Sequence, residues 1–277
     1  MQQRQGQSSL LLSGKERGDL NLSKQSPKIN VKTAQICEKG KGREVNQDMC
    51  YKHTVASHGD IKAIYAVADG IGSFSSSQTA SSIVRDILED WFKTALESGR
   101  LEDEPDAICE QVIENVFYRA YDEIVNEARK NKCHMGTTLS MILVTNAKCY
   151  LFHVGDSRIY LDSPDESDNL FLECLTKDDK KVDPRDNKAK LVNAIADQLP
   201  KPQVASACDD LYPDDMYILM TDGGYKRNPD PQIERMVNEA RAGSKPCAEF
   251  CNRLYRSALN NGETDDITVL SVLFEGL

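Results

Sequence analysis

Apolar residues recur along the chain in two patterns, one typical of strands and the other of helices. Residues 61–69 are almost all apolar and end in Asp-Gly, as expected of a strand that is covered on both faces. Residues 80–95 and 112–128 instead place apolar side chains three and four positions apart, which predicts two amphipathic helices. A polar loop at 99–105 separates these helices, so we expect them to form an antiparallel pair.

Shorter segments add further strands and helices. Residues 146–148 are few enough to join two of the strands in a hairpin. The region 176–215 is polar and irregular, apart from a short helix predicted at 188–196. Strands are predicted at 138–145, 149–154, 158–162, 170–175, 216–221 and 267–274, and helices at 231–241 and 246–260.

The order of these elements predicts the fold class. Strands come first, followed by two helices, a block of strands, two more helices and a final strand. This segregation is typical of an α+β domain in which antiparallel sheets carry helix pairs on their outer faces. No second domain boundary is visible, so one domain is expected over 31–277. Residues 1–30 are rich in Gln, Ser, Lys and Gly without periodicity, and they predict a flexible tail.

Composition narrows the functional classes. The 277 residues carry 44 acidic and 34 basic side chains, and the formal charge of −10 argues against nucleic acid as a partner, because phosphate backbones need a basic surface. No apolar run approaches the roughly 20 residues of a membrane span, and no signal peptide is visible. Nine scattered cysteines without a CxxC pair predict reduced thiols, and a soluble, cytoplasmic protein is expected.

Aspartates stand at the ends of several apolar segments. Asp69, Asp156 and Asp222 each follow one, and Asp265 lies just before the last. A carboxylate at the end of a buried strand needs a hydrogen-bond donor, a basic partner or a cation. An all-oxygen set without a His or Cys cluster favours Mg²⁺ or Mn²⁺ over zinc. Each Asp-Gly pair taken alone is more often simply a turn, so spacing alone leaves both interpretations open.

Seven short motifs in a fixed order favour the metal-site interpretation. They are REVNQD at 43–48, YAVADGIG at 65–72, GTT at 136–138, HVGDSRIYL at 153–161, LTKDD at 175–179, LMTDG at 219–223 and TDDITV at 264–269. With these motifs the chain resembles the metal-dependent protein phosphatases (type 2C, the PPM family) over about residues 33–274. The resemblance implies a four-layer α-β-β-α sandwich and a serine/threonine phosphatase that acts on phosphorylated proteins.

The same resemblance implies a site for two Mn²⁺ or Mg²⁺ ions. Asp69 would bridge the two ions, and the carbonyl of Gly70 would help to hold one of them. Asp48 would serve the site largely through bound water, while Asp222 and Asp265 would ligate the other ion. Two such cations, about 3.5–4 Å apart, would activate a shared water for attack on phosphorus.

Three further positions are interpreted through the resemblance. Arg43 would bind the substrate phosphate, a task that suits a planar guanidinium. Asp265 is preferred to Asp266 as the metal ligand because the family places Asp first and Asn second in this motif. Ile71 stands where many eukaryotic members carry a histidine, which indicates a bacterial-type member.

The resemblance also makes Asp156 the candidate ligand of a third cation. Lys226 stands where an acidic partner for that cation is expected, which argues against a third ion. Asp156 would then pair with Arg158 or cap a turn. In the segment 175–202, which corresponds to the variable flap of the family, the basic residues at 180, 181 and 185 either attract acidic phosphopeptides or form a solvated face.

Two alternative functions remain open at the level of sequence. One is a catalytically weak pseudophosphatase that binds a signalling partner. The other is a phosphatase that acts on a non-protein phosphoester. For the leading function, an active phosphatase, the partner is a phosphorylated protein and a monomer is expected.

Overall fold

The apolar segments of the sequence form antiparallel strands and the helices that cover them. The computed structural model describes residues 29–57, 60–72, 75–164 and 170–276. The strands are β1 Ile29–Glu38, β2 Asp48–Ser57, β3 Asp60–Gly72, β4 Met135–Thr137, β5 Leu139–Thr145, β6 Lys148–Val154, β7 Arg158–Pro164, β8 Leu170–Cys174, β9 Lys180–Asp183, β10 Lys188–Leu191, β11 Gln203–Asp210, β12 Asp215–Met220 and β13 Ile267–Gly276. The helices are α1 Ser75–Glu97, α2 Pro105–Val112, α3 Arg119–Asn131, α4 Asp222–Tyr225, α5 Asp230–Arg241 and α6 Pro246–Asn260.

Two large sheets lie at the centre of the fold. The first has the strand order β1-β13-β12-β7-β8, and the second has the order β11-β6-β5-β3-β2 with β4 added to β3. Neighbouring strands are antiparallel in both sheets. Helices α1 to α3 pack on the outer face of the second sheet, and α5 and α6 pack on the outer face of the first. The predicted α-β-β-α sandwich is therefore confirmed.

The side chains of strand β3 pack into two hydrophobic cores, one on each face of its sheet. Ile64, Ala66 and Ala68 face the helices of the second sheet, whereas the alternate residues Tyr65 and Val67 face the first sheet. All five are completely buried. Successive side chains of a strand point to opposite faces, so a strand covered on both faces must be apolar throughout. This requirement explains the nearly unbroken apolar run at 61–69.

The helical predictions are confirmed where the apolar period is long. In α1, residues Val84, Leu88 and Phe92 are fully buried at four-residue spacing. The stretch predicted at 112–128 is longer and less regular, since α2 and α3 are joined by a π-helical segment, Ile113–Tyr118. Among the described helices, none combines the length and the apolar character that crossing a membrane requires.

The short helix predicted at 188–196 is wrong. Residues 188–191 form β10, which pairs with β9 in a separate two-stranded sheet. Asp183 holds this hairpin, because its carboxylate accepts hydrogen bonds from Arg185 and Lys190 at 2.7 Å each. The side chains of β10 are largely exposed, so no apolar face is available to stabilise a helix.

Further differences concern strands and the tail. Five other strands were not predicted individually: β1, β2, β4, β9 and β11. The predicted tail at 1–30 lies outside the described residues except for Ile29 and Asn30, which already belong to β1.

The predicted hairpin between β5 and β6 is confirmed, and its turn suggests a stabilising substitution. Asn146 and Ala147 form a two-residue turn with φ angles of 53° and 55°. A residue with a Cβ atom in this left-handed region costs about 1 kcal/mol or more, whereas glycine adopts it freely. We therefore expect Ala147→Gly to raise the free energy of unfolding by about 1 kcal/mol in urea titrations. Ala248→Gly in helix α6 is the control, and it should lower that free energy by a similar amount.

Candidate active site

The first pair of predicted site residues is brought together by the register of two strands. Asp48 opens β2 and lies directly opposite Asp69 of β3 in the antiparallel ladder. Both side chains therefore project from the same face of the sheet, at the end where the chain leaves it. Burial raises the pKa of Asp48 to about 7, and the charges of Asp266 and Asp222 add to the effect, although the hydroxyl of Thr221 donates to Asp48 at 2.8 Å.

Asp69 lies at the centre of a cluster of carboxylates. Burial raises its pKa well above the usual range, and the charges of Asp48, Asp222, Asp156 and Asp265 raise it further. All four predicted partners of Asp69 are therefore within electrostatic reach of it. Like charges gathered in a poorly solvated place repel one another and favour the neutral form of each acid unless cations intervene.

The backbone around Asp69 is fixed by the GTT motif. The amide of Asp69 donates to the hydroxyl of Thr138 at 2.9 Å, and the amide of Thr138 donates to the carbonyl of Asp69 at the same distance. The hydroxyl of Thr137 donates to that carbonyl as well, at 3.0 Å. These three bonds hold Asp69 in place independently of its carboxylate.

Gly70 follows Asp69 within β3, where two other segments of the backbone approach closely. Its amide donates to the carbonyl of Gln47 at 3.1 Å. A Cβ atom on Gly70 would lie 2.4 Å from the carbonyl oxygen of Ser77 and 2.7 Å from that of Gln47. Only glycine fits, since the first turn of α1 and the loop before β2 both press against this residue.

Asp222 enters the same region from the other sheet. It is the first residue of the short helix α4, directly after the buried strand β12. Burial raises the pKa of Asp222, and Asp156 and Asp265 raise it further, although Lys226 lowers it. The ammonium of Lys226 lies one helical turn later, 2.6 Å from an oxygen of Asp222.

Asp265 and Asp266 are adjacent in sequence but have different partners. Asp265 forms an ion pair with the guanidinium of Arg43, whose other arm donates to Gln47 at 2.7 Å. Asp266 is buried and accepts the backbone amides of Gly40 at 2.7 Å and of Gln47 at 2.8 Å. Asp266 therefore anchors the loop that carries Arg43, while Asp265 faces the carboxylate cluster.

Asp156 is present in the cluster, but the pairing with Arg158 suggested from the sequence is wrong. Arg158 makes a bidentate ion pair with Asp178, at 2.9 and 3.0 Å. Asp156 instead accepts an ion pair from Lys180 at 2.5 Å. Lys180 is therefore engaged within the protein and does not belong to a solvated basic face. Arg185 pairs with Asp183, but its side chain is 85% exposed, as expected of a solvated face.

The donor set of the cluster fits a hard divalent cation. Its members are carboxylates, and such oxygen donors are those that Mg²⁺ and Mn²⁺ prefer. Within the described ranges, no three acidic, His or Cys side chains close around one point. The reason is local, because Asp156, Asp222 and Asp265 are each turned toward a basic side chain.

Sequence reasoning missed three residues that organise the site. Thr138 and Thr221 hold Asp69 and Asp48 through their hydroxyls, and Lys180 neutralises Asp156. The two threonines belong to motifs that could have directed attention to them. Lys180 carries no such signal, since its approach to Asp156 depends on the path of the chain between β8 and β9.

Comparison with known proteins identifies the family. A sequence model of the family described as protein phosphatase 2C matches residues 40–261. The chain belongs to the protein phosphatase 2C family. The match spans the strand ends that carry the cluster, from Asp48 to Asp222, and so places them within a phosphoprotein phosphatase domain.

Two relatives of this protein phosphatase 2C chain illustrate the similarity, and both are bacterial, in agreement with the resemblance in sequence. The serine/threonine phosphatase stp of Listeria innocua is 28% identical over 248 residues, which cover 85% of this chain and 92% of the relative. The solved serine/threonine phosphatase of S. agalactiae shares the fold, with a TM-score of 0.72 at 20% identity over 89% of this chain and 100% of that one.

One solved relative contains metal. The catalytic domain of the serine/threonine protein phosphatase PstP, in complex with two manganese ions, superimposes with a TM-score of 0.68 at 25% identity. The alignment covers 89% of this chain and 99% of that domain.

Proposed function

We propose that this protein phosphatase 2C removes phosphate from phosphoserine and phosphothreonine residues of proteins, with two Mn²⁺ or Mg²⁺ ions as cofactors. The main support is the convergence of five aspartates from both sheets, with a raised pKa at Asp48, Asp69 and Asp222. The two manganese ions of the PstP domain, which has the same fold, add to this support.

Each side chain of the cluster has a proposed task. Asp69 and the carbonyl of Gly70 would hold the ions at the edge of the second sheet, with Asp48 beside them. Asp222 and Asp265 would hold one ion from the first sheet. When bound, the ions supply Lewis-acid catalysis and lower the pKa of water so that it can attack phosphorus.

Arg43 would bind the phosphate group of the substrate. Its guanidinium is partly exposed and is directed to the cluster by its contacts with Gln47 and Asp265. A guanidinium binds two phosphate oxygens at once, so Arg43 would orient the ester and balance charge that develops on the oxygens. In the bound state the phosphate would share Arg43 with Asp265.

A metal requirement tests this proposal. After treatment with a chelator, the protein should lose its activity on a phosphothreonine peptide, and either Mn²⁺ or Mg²⁺ should restore it. The expected loss is about a thousandfold or more, because metal catalysis supplies several kcal/mol to the transition state and each 1.36 kcal/mol is tenfold in rate. Full activity without a divalent ion would contradict the mechanism.

The same assay, with two classes of substrate, addresses the alternatives. A higher kcat/KM on phosphoproteins than on small phosphoesters is expected. Within the described part of the chain, no observation favours a pseudophosphatase, since the other four proposed carboxylates all contribute to the raised pKa of Asp69. Cytoplasmic location and a monomeric state remain predictions.

A further inference from the structure

Two lysines lie on the outer side of the carboxylate cluster. The ammonium of Lys180 is 2.5 Å from an oxygen of Asp156, and that of Lys226 is 2.6 Å from an oxygen of Asp222. Lys226 also approaches Asp265, at 3.4 Å. The two paired aspartates are nearly inaccessible, with side chains 10% and 12% exposed, so these are not ordinary surface ion pairs.

The backbone fixes both lysines independently of their ion pairs. Lys226 follows Asp222 by one turn of α4, and its amide donates to the carbonyl of Asp222 at 2.8 Å. Lys180 follows Asp179, which is tied to Gly155 in both directions: the Asp179 amide donates to the Gly155 carbonyl at 2.7 Å, and the Gly155 amide donates to the Asp179 carboxylate at 3.0 Å. The segment before Lys180 is therefore held against the segment that carries Asp156.

The charges of the loaded site explain why cations are needed there. Two divalent ions cancel four of the five carboxylate charges in the cluster. A phosphate monoester brings up to two more negative charges at neutral pH. One carboxylate charge and up to two phosphate charges are then left unbalanced. The three basic side chains at the cluster can neutralise them: Arg43, Lys180 and Lys226.

We propose that Lys180 and Lys226 are tethered cations, which neutralise Asp156 and Asp222 in place of a further divalent ion and limit the site to two. This inference rests on the proposed two-metal function. An ammonium bound to a carboxylate occupies one of its oxygens and repels any divalent ion that approaches from the same side. The outer oxygens of Asp156 and Asp222 are therefore closed to a third ion.

The number of bound ions tests the proposal. Mn²⁺ is counted by calorimetric titration and by native mass spectrometry of the full chain. The wild-type protein should bind two ions, and the double variant Lys180→Met/Lys226→Asp should bind three, with the third lost when Asp156→Asn is added. Lys226→Met alone, a milder change, should bind two ions with an affinity roughly tenfold higher, since a nearby positive charge is removed.

Lys181→Met provides the matched control, because Lys181 is the exposed neighbour of Lys180 in β9. It should bind two ions with unchanged affinity, and thermal melts should show that each variant is folded. The proposal is overturned if the wild-type protein binds three ions, one of them lost in Asp156→Asn. It is also overturned if Lys226→Met leaves the affinity unchanged. A wild-type protein that binds no Mn²⁺ would overturn the proposed function and, with it, this inference.

Discussion

Asp69→Asn should lower kcat/KM on a phosphothreonine peptide by about a thousandfold or more. Asp69 lies at the centre of the carboxylate cluster that would hold both ions, so its neutralisation should weaken the binding of both. Metal catalysis supplies several kcal/mol, and each 1.36 kcal/mol is tenfold in rate. Steady-state kinetics at saturating Mn²⁺ measure the effect, with the exposed Asp86→Asn of helix α1 as the control that should retain activity.

The stability of the same variant distinguishes loss of metal from loss of fold. The pKa of Asp69 is raised in the folded protein, so its ionised form costs stability at neutral pH. The neutral amide removes that cost, and the Tm of the metal-free variant should be equal to or higher than that of the wild type. Mn²⁺ at a hundredfold excess over its Kd should stabilise the wild type by about 2.7 kcal/mol for each bound ion, and the variant very little. A metal-free Tm that falls sharply would contradict this account.

The fold could be predicted because buried strands and helices have characteristic patterns of apolar residues in the sequence. Strand β3, covered on both faces, is a nearly unbroken apolar run, and α1 repeats its apolar residues with the helical period. Exposed strands at the edge of the fold have a weaker apolar pattern. Among the described strands, β10 pairs only with β9 and exposes its side chains, so its sequence lacks the apolar alternation of a buried strand, and the helix predicted there does not form.

The members of the site were predictable, but most of their contacts were not. Four of the five clustered aspartates were found at an end of an apolar segment, because the strand ends of stacked sheets meet, and Asp48 was found through its motif at 43–48. Which cation neutralises which carboxylate depends instead on long-range geometry. Arg158 is two residues from Asp156 and yet pairs with Asp178, while Lys180 reaches Asp156 from β9. Proximity in sequence was a poor guide to these partners.

The second large effect is expected on Mn²⁺ binding, because Asp265, and not Asp266, is the proposed metal ligand. Asp265→Asn should weaken Mn²⁺ binding by about 10–100-fold or more. Loss of a residue that only hydrogen-bonds to a metal ligand already costs that much, and Asp265 is a proposed ligand itself. The effect of Asp265→Asn on the unfolding of the metal-free protein should be small, because Asp265 is partly exposed and an asparagine oxygen can still accept the backbone amide of Asp266, which donates to Asp265 at 3.0 Å. Calorimetric titration with Mn²⁺ and urea unfolding measure the two quantities.

The same change one residue later should have the opposite profile. Asp266 accepts two backbone amides, from Gly40 and Gln47, with its two oxygens. Asp266→Asn replaces one oxygen by an NH₂ group, which leaves a buried amide without an acceptor and should cost about 1–3 kcal/mol of unfolding free energy. Mn²⁺ binding should then be weakened only as far as the loop bearing Arg43 is loosened. If Asp266→Asn instead abolished Mn²⁺ binding at unchanged stability, the two aspartates would have to exchange roles, and the anchoring of that loop would need another explanation.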